Sequence, residues 1–265
     1  MPFENSSATW KIDRAKELLD GLDKEVFAWQ ETNPYGFYTY ISPNFRRASV
    51  IVEVRNEPPI IRWSLIIADI IHNLRCALDH TLWAILLNEF SSVIPRKAEK
   101  ISFPIWDAPP TPDQRRAFER IGPKLLAAIE SVQWYNNPLS SDPVQPLAII
   151  RDIDNANKHK LLFTAMASVA KIEVKATGLR KDYQDLSISE VYRGELKDGV
   201  EAVVTTFDVP HPYLKYECPL FISIIAIRHP IANRLGQDRD DYAALIDRLV
   251  VEVRKTIDAL VQAAV

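Results

Sequence analysis

The chain is poor in glycine. There are seven in 265 residues, and none gathers into a loop that could cradle phosphates. It has two cysteines, Cys76 and Cys218, far apart in sequence. That spacing excludes a disulfide framework and a CxxC zinc site, and no disulfide-linked partner is expected. A basic excess is missing too: 32 Lys and Arg stand against 35 Asp and Glu, for a net charge of −3 and a pI near 6.0. A surface that coats nucleic acid broadly would need such an excess, although a local basic groove remains open. No apolar run reaches membrane length. The most apolar window, 60–87, is interrupted by Arg62, Asp69, His72, Arg75, Asp79 and His80, whereas a spanning helix needs about 20 mostly apolar residues. The opening MPFENSSATW lacks a basic stretch followed by an apolar one, so no secretory signal is expected. The expected compartment is a reducing cytoplasm. No GxSxG elbow and no HExxH pair occurs, and no cofactor is expected.

What is present reads as an ordinary globular chain, 47% hydrophobic and 25% charged. No repeat and no shift of composition marks a linker, so a single domain over 1–265 is expected. Apolar residues recur at helical spacing over 8–31, 60–90, 112–135, 147–162 and 238–265. Gly122-Pro123 breaks or kinks the third of these. Period-two alternation over 37–55 predicts an N-terminal hairpin, and over 169–227 an antiparallel sheet. Lys197-Asp198-Gly199-Val200 carries the Asp-Gly signal of a type I′ hairpin turn. The expected fold class is α+β: a helical bundle built on the long 60–90 helix, with the hairpin, a C-terminal antiparallel sheet and a closing helix.

The long helix holds the candidate chemistry in Ile71–His80, IHNLRCALDH. At about 100° per residue, Asp69, His72, Asn73, Cys76, Asp79 and His80 share one side, with Arg75 on the flank. Ile67, Ile70, Ile71, Leu74, Ala77 and Leu78 fall opposite. A merely solvated face usually carries Lys and Glu, and this stripe has neither between Asp69 and His80. Short titratable groups in that pattern suit a polar network, a ligand site or a metal site. A second cluster lies at 151–160, where Arg151, Asn155, Lys158 and His159 share one helix face at i, i+4, i+7 and i+8. Asp154 and Lys158 are an i, i+4 pair with the acid first, the favourable order. If the two helices pack together, Asp154 or Asn155 can bond His72 or Arg75. Alternatively, 151–160 is a helix end whose basic residues complement the dipole.

The segments PPIIRWSLIIADIIHNLRCALDHTLW (58–83) and DIDNANKHKLL (152–162) together resemble an uncharacterised bacterial family in which an HNLRxxLDH helix precedes a D-N-x-x-K-H segment. Arg75 and His80, spaced R-x4-H, also resemble the motif of HEPN helical domains, many of them metal-independent ribonucleases. The motif prefers a polar residue after the arginine, and here Cys76 stands there. This resemblance implies RNA as partner, His80 as the general acid or base and Arg75 as the phosphate-stabilising cation, both catalytic. An i, i+5 pair lies about 140° apart on a helix, so the resemblance also implies a homodimer that assembles the site from two copies. Asp69, His72, Asn73, Asp79, Asp154, Asn155, Lys158 and His159 would be its supporting polar cluster. Two alternatives stand beside it. The stripe can be a buried polar network in a non-catalytic structural or interaction protein. It can also bind metal, through His72 and Cys76 at i, i+4, then Asp79 or His80, with His159 completing a tetrahedral set. This last reading lacks a recognised ligand motif, and no metal site is assigned.

Overall fold

A computed structural model describes residues 6–89, 102–116, 118, 122–136, 145–159, 165–179, 186–190, 195–228 and 239–264. The class is α+β, with six helices among the described residues, an N-terminal hairpin, antiparallel sheets and a C-terminal helix. The chain forms two compact units. One, here the helical unit, comprises Met1–Asp23, Ile61–Phe163 and Arg228–Val265. The other, the sheet unit, comprises Lys24–Ile60 and Thr164–Ile227.

The helical unit is organised by α2 (Ile60–Glu89). Trp63, Ile67, Ile70, Ile71, Leu74, Ala77, Leu78 and Ile85 have no solvent exposure. Each fully buried Ile or Leu contributes about 1.5–3 kcal/mol of transfer free energy, so this face anchors the polar stripe on its other side. From α1 (Ser6–Gln30), Ala8, Ile12, Ala15, Leu19 and Leu22 are buried at helical spacing. The helix expected over 112–135 is interrupted. It forms α3 (Pro112–Arg116) and α4 (Pro123–Ser131), followed by a 3-10 turn at Trp134–Asn136. Gly122, with φ 86°, precedes Pro123. A proline without an N–H suits a first helical turn and cannot continue a helix through itself. Helix α5 spans Pro146–His159, and 160–162 of its expected length lie outside the described residues. The closing helix α6 spans Tyr242–Ala264, later than the expected 238. Residue 238 lies outside the described residues, and the next three, Arg239–Asp241, form a short strand, β7, instead. Asp241 accepts the N–H groups of Ala243 and Ala244, which caps α6. The Tyr242 hydroxyl donates to Asp23 on α1.

The sheet unit holds the hairpin of β1 (Tyr35–Ile41) and β2 (Arg47–Val54), in register with Phe37 opposite Val52. It also holds β3 (Ala165–Thr177), β4 (Leu186–Glu190), β5 (Glu201–Thr206) and β6 (Lys215–Arg228). Strand β3 pairs antiparallel with both β4 and β6. Strand β5 leaves this group and pairs with β2, giving the order β1-β2-β5. The expected Asp-Gly hairpin is therefore not one. Gly199 does take a positive φ, 75°, but the turn docks on β2. Gly199 N–H donates to Val52 O, Val52 N–H to Val200 O, and Val54 N–H to the Asp198 carboxylate at 3.0 Å. The expected type I′ turn needs a positive φ at both central residues, and only Gly199 takes one, Asp198 remaining at negative φ. The turn's hydrogen-bond partners are the free edge of a strand some 145 residues earlier, which no local signal can name.

Among the described residues, no helix is long and apolar enough to cross a membrane.

Candidate functional site

The stripe on α2 divides into two halves. The inner half is a clamp on the backbone of Phe103. Arg75 is 9% exposed. Its Nη2 donates to Phe103 O at 2.6 Å and lies 3.1 Å from the Asp79 carboxylate, one turn further along α2. The same Asp79 oxygen accepts the Phe103 N–H at 2.7 Å. One peptide segment is thus held at both its donor and its acceptor, and the ion pair closes the ring. Burial pushes the Asp79 carboxyl above the usual carboxylate range, while Arg75 and the Phe103 N–H pull it back. Phe103 itself is fully buried. The following residues are tied to α5: Arg151 donates to Ile105 O at 3.0 Å, to Asp107 at 3.2 Å and to Asp152 at 2.8 Å.

The outer half links α2 to α5 and α1. Asp154 is 3% exposed, and each of its oxygens is used. His72 Nδ1 lies 2.8 Å from Oδ1, and Lys158 donates to Oδ2 at 2.6 Å. A carboxylate can only accept, so His72 carries its proton on Nδ1 and leaves the Nε2 lone pair free in the neutral ring. That nitrogen faces Cys76 Sγ at 3.5 Å. Burial pushes the Cys76 thiol up; Lys11 and Lys158 act to lower it, and Asp79 and Asp154 to raise it. On the α1 side, Lys11 donates to the Asn73 side-chain oxygen at 3.2 Å, and the Asn73 amide donates to Asp69 O at 2.8 Å. His72 and Lys158 remain about half exposed, at 48% and 45% of their side chains.

The geometry does not bring Arg75 and His80 together. The guanidinium is occupied by Phe103 and Asp79, and His80, five residues on, points about 140° away. His80 Nδ1 and Arg75 Nη1 are buried without hydrogen-bond partners. Asp69 is exposed and contributes only its backbone oxygen, and Asn155 is exposed. His159 ends α5, and its side chain lies outside the described residues. Two members were missed by sequence reasoning. Lys11 looks like any solvated lysine of an amphipathic helix. Phe103 acts through its backbone from a proline-rich segment, where residue type carries no signal.

Two clefts in the helical unit lie elsewhere. One of about 350 Å3 is bordered by Trp106, Gln133, Trp134, Leu147 and Thr256. The other, about 500 Å3, lies between Ala8, Ile12, Arg254 and Val261. No stripe residue borders either. Among the described residues, no group of three His, Cys, Asp or Glu side chains could hold a metal ion. Of the expected ligand set, His72 and Cys76 are adjacent, while Asp79 turns to Phe103. Comparison with protein-family models, curated proteins and solved structures finds no match.

Proposed function

We propose that this chain is a non-catalytic structural and interaction protein, in which the HNLRCALDH stripe is a polar network. The inner half fastens α2 to the 103–107 segment. The outer half presents His72, Cys76, Lys158 and Lys11 as a polar contact face. The observation that carries this reading is the Arg75–Asp79 clamp. A guanidinium already bonded to a carboxylate and a backbone carbonyl in a buried site is not offered to a phosphate. The test is incubation of single-stranded RNA in EDTA with wild type and His80→Ala. The expected result is no cleavage that depends on His80. Cleavage by wild type that disappears in a folded His80→Ala protein would overturn it.

A HEPN-like ribonuclease or RNA-binding module is the second reading. What favours it is that Arg75 Nη1 and His80 Nδ1 are both buried and unpartnered, a costly state that a partner group would relieve. That reading requires a homodimer supplying the second half of the site. Its signature is a concentration-dependent dimer whose dissociation abolishes cleavage. The resemblance to the bacterial family of HNLRxxLDH and DNxxKH helices is compatible with either reading.

A further inference from the structure

We infer that Cys76 is an acyl-acceptor site, loaded from an anionic acyl thioester with His72 as its general base. The inference rests on the interaction-protein reading and gives its contact face a covalent modification. It starts from a three-group alignment drawn from two helices. Asp154 fixes the His72 ring through Nδ1, and Nε2 of that ring faces the Cys76 sulfur at 3.5 Å. Nucleophile, base and orienting carboxylate in that order are the elements of an assisted thiol nucleophile. Asp154 is itself held by Lys158, so the ring is anchored from a side chain that is almost wholly buried.

Charge around the sulfur decides the class of donor. The groups facing it are Lys11 from α1, Asp79 and His72 from α2, and Asp154 and Lys158 from α5. Asp79 is paired with Arg75, and Asp154 with Lys158 and His72. Lys11 is held by the neutral Asn73 amide, so its charge is uncompensated by that contact. A cation in that place favours an anionic donor and the oxyanion that forms at the carbonyl. Burial keeps the resting sulfur as a thiol, so reaction at neutral pH depends on proton removal during attack.

The step balances as thiol–thioester exchange. Cys76 Sγ bonds to the carbonyl carbon, and the bond from that carbon to the donor sulfur breaks. The thiol proton passes to His72 Nε2 and then to the departing thiolate. No oxidant or reductant is consumed.

The experiment uses the full chain, with malonyl-coenzyme A as the probe whose acyl group is anionic and acetyl-coenzyme A, with the same leaving group, as the one whose acyl group is neutral. Acylation is followed at Cys76 and Cys218 separately by peptide mass spectrometry between about pH 6 and pH 9, a range that reaches the ordinary thiol value from below. The expected result is preferential acylation of Cys76, at a rate above that of a free peptide thiol well below the pH at which its raised thiol ionises. His72→Gln should slow it by about 100-fold. Lys11→Met should slow the reaction of malonyl-coenzyme A more than that of acetyl-coenzyme A. A Cys76 rate no greater than that of a free peptide thiol would overturn the proposal, as would equal rates in wild type and folded His72→Gln. If His72→Gln does not fold, the wild-type profile decides: a rate that grows only with the alkaline thiolate excludes His72 as base. Failure here leaves the Arg75–Asp79 clamp standing, whereas His80-dependent RNA cleavage removes the interaction-protein reading whatever the acylation result.

Discussion

Arg75 and Asp79 show how one motif can carry two meanings. Read by spacing, Arg75 pairs with His80; in the fold it pairs with Asp79 and Phe103. Breaking a buried pair from one side leaves the other charge uncompensated, so Arg75→Ala should cost about 3–5 kcal/mol in equilibrium unfolding. Asp79→Asn keeps an oxygen for the Phe103 N–H and should cost less than Asp79→Ala. Its pH dependence follows from the raised carboxyl. The native state binds more protons than the unfolded chain between the ordinary carboxylate value and the raised one. Stability attributable to Asp79 is therefore full below that window and falls as pH rises through it. Denaturation of Asp79→Asn across pH should lack this component. A wild type that loses no stability relative to Asp79→Asn as pH rises would contradict the assignment. At this scale the stripe's membership was legible from angular spacing alone. Its division into halves was not, because Phe103 enters through backbone atoms and Lys11 from another helix.

At the scale of elements, α2 succeeds because its two faces are satisfied differently. Its apolar side is sealed among aliphatic residues, and its polar side finds partners on α1, α5 and the 103–107 segment. The helix periodicity announced the first of these plainly. The second needed two helices to be placed side by side, and Asp154 was named for His72 only as a condition on that packing. The 197–200 turn gives the converse lesson. Its glycine takes a positive φ but its aspartate does not, and the turn serves β2 rather than joining neighbouring strands. Open space surrounds a side chain placed at Gly199, so only backbone strain opposes substitution. Gly199→Val should lower stability by about 1 kcal/mol or more, and Gly199→Asn by less, since asparagine tolerates that conformation. Thermal unfolding of the two variants checks the order. Equal losses would show that the turn does not hold its left-handed geometry.

For the whole molecule, charge and topology set what the stripe can do. A net charge of −3 offers no broad attraction for RNA, and the acyl-acceptor face draws on single lysines rather than a basic surface. Anisotropy of a labelled single-stranded RNA should therefore show little binding and a shallow dependence on salt; a steep loss with added salt would point to several phosphate contacts. The α+β class and the order of elements were readable from periodicity. The pairing of β5 with β2 and the two compact units were not, because long-range pairing leaves no local pattern. The most direct test of the central claim is a double-mutant cycle of Arg75→Met and Asp79→Asn, read by equilibrium unfolding. The clamp predicts a coupling of about 1 kcal/mol or more between the two sites. Costs that simply add, within about 0.5 kcal/mol, would mean that Arg75 is not committed to Asp79 and would contradict the clamp.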